Sequence, residues 1–211
     1  MRRLPVDSAG LPFIGGALAL ALLSGAAFTW SLAVPFIVVG AFFLFFFRDP
    51  ERSVQDGASV VLSPADGRVL VAGPAVAAAA PAGAWQQVSI FLSPMDVHVN
   101  RVPVSGQIIR VAFTPGRFLP AYRPEAGTTN ERSEIWIDHN GVTIVARQIV
   151  GMLARRVVCR LQAGDTVRAG DRYGIMKFGS RMDVFLPVNA EVVVKVGDLV
   201  RGGETVVAML H

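Results

Sequence analysis

Near the C-terminal end of the chain a hydroxyl follows a glycine inside an apolar run: Met176-Lys177-Phe178-Gly179-Ser180-Arg181-Met182-Asp183-Val184-Phe185-Leu186-Pro187. Ser180 has no Gly-x-Ser-x-Gly elbow around it, so the usual strand-to-helix nucleophile turn is absent. Three other segments carry groups that could serve it. Asp66 lies in Ser-Pro-Ala-Asp-Gly, His98 in Met-Asp-Val-His-Val-Asn-Arg, and Glu131 in Asn-Glu-Arg. A histidine that takes a hydroxyl proton and an aspartate that fixes the imidazole are the ingredients for activating a serine, in any chain order. Residue types alone leave the reaction open. Metal binding has little support, because three scattered histidines and one cysteine give no ligand spacing.

The elements that must position these groups read as β. Short strand-like runs, Ser59–Leu62 and Arg68–Ala72, flank the turn that holds Asp66. Two or three strands follow between Gln87 and Phe113, with turns at Ser93-Pro94 and Ser105-Gly106. A polar segment rich in Pro and Gly spans 114–133. Ile135 and Ile137, then Asn140-Gly141, then Val142 and Ile144, read as a hairpin. His139 precedes that turn and reads as an exposed residue; His211 is the last residue. No amphipathic helix is expected after residue 52.

The first part of the chain is different. Ser8 to Phe47 contains no charged residue and no histidine, and it lifts the mean hydropathy of the whole chain to +0.48. Forty such residues exceed one membrane span of about 20. They fit a helical hairpin, Leu11–Phe28 and Ala33–Phe47, joined at Thr29-Trp30-Ser31. Arg2 and Arg3 before it, with Arg48 and Arg52 after it, place both ends on the cytoplasmic side. A cleaved signal peptide ending near Ala26-Ala27 is the rival, and the second apolar segment argues against it. The expected organisation is a membrane hairpin over 1–52 and a β-rich catalytic domain over 53–211, at the inner face of the cell membrane. A net charge of +4 beside such an anchor favours anionic lipid headgroups over nucleic acid. One cysteine, Cys159, excludes an intramolecular disulfide. The sequence leaves a homo-oligomer open.

The C-terminal part repeats itself at an offset of 33 residues. Gly164, Asp165, Val167, Arg168 and Gly170 recur as Gly197, Asp198, Val200, Arg201 and Gly203, and Met176 as Met209. This resembles the turns of lipoyl and biotinyl domains and predicts a pseudo-symmetric β-sandwich of the barrel-sandwich-hybrid kind. A membrane-tethered carrier or adaptor modified at Lys177 is the alternative function on this reading. The Phe178-Gly179-Ser180 context departs from the usual neighbours of a modified lysine.

Leu-Ser-Pro-Ala-Asp-Gly-Arg-Val, Phe-Leu-Ser-Pro-Met-Asp-Val-His-Val-Asn-Arg-Val-Pro-Val-Ser-Gly, Asn-Glu-Arg and the Ser180 segment, preceded by Phe-Phe-Arg-Asp-Pro-Glu-Arg, occur in one order from about Phe46 to Pro187. Together they resemble phosphatidylserine decarboxylase in its short, membrane-anchored form. The resemblance implies that Ser180 attacks the Gly179 carbonyl and that the chain cuts itself into a β chain, 1–179, and an α chain, 180–211. It implies that Ser180 becomes a pyruvoyl group, which takes phosphatidylserine as a Schiff base and yields phosphatidylethanolamine. It implies roles for Asp66 in self-cleavage and for His98 near the pyruvoyl. Longer forms of the family carry a second histidine three residues after the first; here that position is Arg101. Arg101 and Glu131 are candidate substrate contacts.

Overall fold

The computed structural model describes residues 5–55, 57–152, 157–177 and 179–211. Arg2, Arg3 and Phe178, singled out above, lie outside the described residues. The chain forms two compact units, 1–51 and 52–211.

The first unit is a helical hairpin. A 3-10 turn, Ser8–Gly10, leads into α1, Leu11–Ala27, and α2 spans Trp30–Phe46. The second helix starts three residues earlier than expected, so Trp30 and Ser31 are helical and the break is only Phe28-Thr29. Thr29 is extended and serves as N-cap position, which lets the helix begin at Trp30. Small residues allow the two helices to approach. Ala17, Ala21 and Gly25 recur every fourth residue on α1 and are buried, as are Ala33 and Gly40 on α2. A Cβ on Gly40 would sit 3.6 Å from that of Ala17, and one on Gly25 would press into the Trp30 ring. Such small-residue spacing packs helices where lipid offers no hydrophobic drive. The ends are tied by backbone bonds, Asp7 N–H to Phe47 O and Asp49 N–H to Pro5 O, both 2.8 Å. The turn and α1 together, Ser8–Ala27, are long and apolar enough to cross a membrane; α2, with 17 residues, is shorter.

The second unit is mostly β. Its strands are β1 Val60–Leu62, β2 Gly67–Pro74, β3 Gln86–Leu92, β4 Val99–Arg101, β5 Gly106–Thr114, β6 Arg132–His139, β7 Val142–Val150, β8 Val157–Cys159, β9 Thr166–Val167, β10 Arg172–Met176, β11 Ser180–Leu186, β12 Glu191–Val192, β13 Leu199–Val200 and β14 Val206–Met209. A four-residue helix, α3 Ala126–Thr129, lies in the polar segment. Eight strands make one curled sheet in the order β13-β2-β3-β11-β7-β6-β5-β9. Two three-stranded sheets, β1-β14-β12 and β4-β10-β8, complete the unit. The β6–β7 hairpin turns on Asn140 and Gly141, both with positive φ, as a two-residue type I′ turn requires. β6 alternates half-buried and buried residues, whereas every residue of β11 is buried. A strand covered on both faces is where an apolar run is expected.

The two Gly-Asp turns share local geometry. Gly164 and Gly197 both have φ near 97–98°, and Asp165 and Asp198 each accept from the backbone three residues earlier. Val167 pairs with Gly106 as Val200 pairs with Gly67. The likeness covers these turns and the strands they abut; the unit as a whole is built on sheets of eight, three and three strands.

His139 differs from expectation. It is buried, with Nδ1 2.6 Å from Ser105 O and Nε2 2.6 Å from Ala58 O. The hairpin end folds under the 57–59 segment, and the ring clamps two loops there.

Candidate active site

Ser180 opens β11, at the centre of the large sheet. It pairs with Leu92 of β3 on one side and Val150 of β7 on the other. The residue is fully buried, and its Oγ has no hydrogen-bond partner among the described residues. A buried hydroxyl left without a partner costs about 1–3 kcal/mol, so its placement calls for a reason. Gly179 holds φ at +75°, a left-handed conformation that favours glycine. Its carbonyl lies so close to Gly151 that a Cβ there would overlap the oxygen. Two glycines therefore fix the peptide bond in front of Ser180, one by conformation and one by vacancy. Gly151→Ala is expected to push the 179–180 peptide out of place and to slow any chemistry at that bond more than tenfold, with the thermal melt shifted by only a few degrees.

Alternation along β11 sorts its neighbours. Ser180, Met182, Val184 and Leu186 share one face, and the last three join the hydrophobic core. Val150 and Gln148, directly opposite Ser180 and Met182 on β7, lie on that face too. The small sheet β4-β10-β8 meets this face through Asn100, whose Oδ1 accepts from Gln148 Nε2 at 2.8 Å. His98 precedes β4 and is fully buried. Its Nδ1 lies 2.9 Å from Asp96 O, and its backbone carbonyl accepts from Met176 N–H at 3.4 Å, four residues before Ser180. A carbonyl can only accept, so Nδ1 carries the proton and Nε2 is left as the basic nitrogen of the neutral ring. Two acids of this region stay protonated. Burial, with the nearby Cys159, pushes the Tyr173 phenol well above 10, and burial also raises the Cys159 thiol.

The opposite face of β11 carries a buried charge cluster. Asp183 is fully buried and accepts from Arg181 at 2.6 and 3.0 Å and from Gln87 Nε2 at 3.2 Å. Arg181 also donates to Ser89 Oγ at 3.0 Å. Arg147 on β7 bonds Glu134, at 2.6 Å, and the Ala79 carbonyl, and lies over the Phe185 ring. Removing one partner of a buried pair leaves an uncompensated charge, at about 3–5 kcal/mol. Asp183→Ala is expected to lower the melting temperature by about 10 °C, read by thermal denaturation in detergent.

The other predicted site residues are placed less directly. Gly67 packs against the Phe91 carbonyl, and Phe91 pairs with Arg181, so β3 separates Asp66 from Ser180. Two strand spacings put their backbones about 10 Å apart. The Asp66 carboxylate accepts from Arg52 at 2.8 and 2.9 Å and from Gly202 N–H at 2.8 Å. Glu204 joins through Arg52 and Ser53; the Ser53 N–H bond and then Arg52 hold its carboxyl below the usual range. Arg101 is buried, donates to Gly170 O at 3.0 Å, and packs against Gly203. It thus lies beside the turn that binds Asp66. Glu131 is half-buried; its N–H and carbonyl bond Arg117 and Val150, the latter opposite Ser180. Its neighbour Asn130 is the staple that sequence reading passed over. Fully buried, Asn130 Nδ2 donates to Leu119 O and Val150 O, both 2.8 Å, and its Oδ1 accepts from Leu119 N–H. Asn100 and Gln148 were also passed over; the signal available was an amide side chain inside an apolar strand run.

A cavity of about 200 Å³ opens at Gly179, lined by Phe91, Pro94, Pro120, Ala121, Tyr122 and Met152. Its lining is almost wholly apolar. Tyr122 and Met152 are more than half exposed, as is Met95 beside Pro94. Arg117, Phe118 and Arg123, in the loop that Asn130 holds, are exposed as well.

Comparison with known proteins bears on this geometry. The family model for phosphatidylserine decarboxylase matches residues 39–208. The chain is 40% identical over 209 residues to the phosphatidylserine decarboxylase proenzyme of Desulfotalea psychrophila, covering 99% of this chain and 98% of that one. It is 42% identical over 203 residues to the proenzyme of Nitrosomonas europaea, covering 96% and 94%. It is 42% identical over 210 residues to that of Mycolicibacterium smegmatis, covering 98% and 90%.

Proposed function

The chain belongs to the phosphatidylserine decarboxylase family and is a decarboxylase, and we propose that it is a precursor that cuts itself at Gly179-Ser180 and then decarboxylates phosphatidylserine to phosphatidylethanolamine. The observation that carries the reading is the buried Ser180 hydroxyl, without a partner, one residue after a carbonyl fixed by two glycines. Ser180 Oγ bonds to the Gly179 carbonyl carbon, the peptide C–N bond breaks, and the hydroxyl proton passes to the freed amine. The resulting ester loses the Ser180 α-proton and its Cβ–Oγ bond breaks. Gly179 leaves as a carboxylate, and the dehydroalanine hydrolyses to a pyruvoyl group and ammonia.

The pyruvoyl group supplies a carbonyl that takes the substrate amine and draws off the electrons left by CO₂. The residues around Ser180 fit its formation: the cavity at Gly179 leaves room on the substrate side, and β11 keeps the new N-terminus between β3 and β7. The Arg181–Asp183 cluster ties the α chain to Gln87 and Ser89 of the β chain after the cut.

His98 is assigned proton transfer, because its tautomer leaves Nε2 basic while Tyr173 and Cys159 stay protonated. Asp66 acts on self-cleavage by positioning the 201–204 turn and Arg52. Arg101, beside that turn, and Glu131, beside the cavity loop, are the candidate contacts to the polar headgroup. The apolar cavity and its exposed rim of Met95, Tyr122 and Met152, with Arg117 and Arg123 nearby, suit a lipid with an anionic head. The hairpin is the membrane anchor, with the catalytic domain on the cytoplasmic side. A direct test is the product formed from phosphatidylserine vesicles: equimolar CO₂ and phosphatidylethanolamine support the reading, and their absence from fully cut protein refutes it.

A further inference from the structure

The face that buries Ser180 also buries an amide pair that the reaction as described does not use. Gln148 and Asn100 are both fully buried. Gln148 Nε2 donates to Asn100 Oδ1 at 2.8 Å and lies 3.4 Å from Val158 O. Val158 O can only accept, which sets the amide orientation and turns Oε1 away from both partners. Gly174 makes room for this, since a Cβ there would come within 2.7 Å of Nε2. Gln148 Oε1 is a buried acceptor without a donor, and Ser180 Oγ is a buried donor without an acceptor, among the described residues. The two residues are diagonal neighbours on one face, because Val150 faces Ser180 and Gln148 faces Met182. Diagonal pairs lie about 7–8 Å apart at Cα, closer at Cβ, within the reach of a glutamine. Ser133 on β6 carries the other hydroxyl that faces Gln148, so it is the control position.

We infer that Gln148, held by Asn100, is a positioning residue for self-cleavage: its Oε1 accepts the Ser180 hydroxyl and aims the oxygen at the Gly179 carbonyl. The inference rests on the self-cleavage reading above. An amide oxygen takes no proton at neutral pH, so Gln148 orients the nucleophile, and the proton goes on to the Ser180 amine. A hydrogen bond that aligns the attacking atom acts on the first bond-forming step and on nothing after it.

The test follows the uncut full-length chain in detergent after synthesis, by gel and intact mass. Gln148→Met keeps shape and removes the acceptor; cleavage is expected to slow about tenfold or more, the equivalent of one hydrogen bond. Gln148→Glu keeps an acceptor oxygen, with Asn100 flipped to donate to it, and is expected to cut within about threefold of the parent. Ser133→Ala is expected to cut at the parent rate. Hydroxylamine, which captures an ester, is expected to leave the Gln148→Met chain uncut, because the block precedes the ester. The inference is overturned if Gln148→Met cuts at the parent rate, if Gln148→Glu fails along with it, or if hydroxylamine splits the stalled Met variant. Should Gln148→Met fail to fold, Gln148→Glu and Asn100→Leu decide: parent-like cutting by the first and a slowed first step in the second support it, and the reverse overturns it. A parent chain that never cuts would refute the self-cleavage reading itself, a separate result.

Discussion

Ser180→Ala is expected to accumulate as a single chain of 22.5 kDa and to release no CO₂ from phosphatidylserine vesicles, a loss of more than about a thousandfold. The size of the effect follows from the double use of one residue, whose Oγ makes the cut and whose carbon skeleton becomes the pyruvoyl group. Without Oγ the Gly179 peptide bond has no intramolecular nucleophile, and no carbonyl is made for the second reaction. The substitution is also structurally mild. It removes one oxygen from a position flanked by Leu92 and Val150, and the one bond at stake is the inferred one to Gln148 Oε1. The variant is therefore expected to melt within a few degrees of the parent temperature. An uncut, well-folded, inactive protein is the expected signature; a Ser180→Ala chain that still splits at Gly179 would remove the mechanism.

His98→Gln is expected to lower decarboxylation by the cut enzyme by roughly 10²–10⁴, the range for loss of a positioned acid–base group. Glutamine fills a similar volume and its Nε2–H can donate, but it cannot carry a proton between atoms. The Nδ1 contact to Asp96 O fixes which nitrogen is basic, and Asp96 is itself pinned by its carboxylate, which accepts from Ser93 N–H at 2.7 Å. Whether the same variant cuts at the parent rate separates the two steps: normal cutting assigns His98 to the substrate, and a stalled cut assigns it to both. Arg101, at the place the resemblance gives to a second histidine in longer forms, donates to Gly170 O.

Much of this site was legible from the sequence, and the illegible parts have physical causes. The charge-free run announced the helix pair, and the Asn140-Gly141 dipeptide announced its hairpin, because both signals are local. The helix break was misplaced because Trp30 suits both an interface and a first helical turn. His139 read as exposed because a residue beside a hairpin turn usually is; the loop at Ala58 that buries it is 81 residues away. Ser180 could be picked out by its glycine, but not its burial at the middle of an eight-stranded sheet. That depends on β3 and β7, far apart in sequence, closing on either side. Asp66 shows the opposite limit. Its motif was visible, yet its carboxylate is spent on Arg52 and Gly202, and only the tertiary structure puts β3 between it and Ser180. The roles of Asn130, Asn100 and Gln148 were illegible for the same reason: a buried amide's work is recognisable only once its partners are known.

The central claim is that the chain makes its own reactive carbonyl by cutting at Gly179-Ser180, and intact-mass analysis of the purified protein under denaturing conditions tests it most directly. The account predicts two species: residues 1–179, and a fragment of about 3.4 kDa (32 of the 211 residues of a 22.5 kDa chain) that resists Edman degradation because its first residue has no amine. A single uncut chain with full decarboxylase activity, or one carrying an added mass on Lys177, would contradict it.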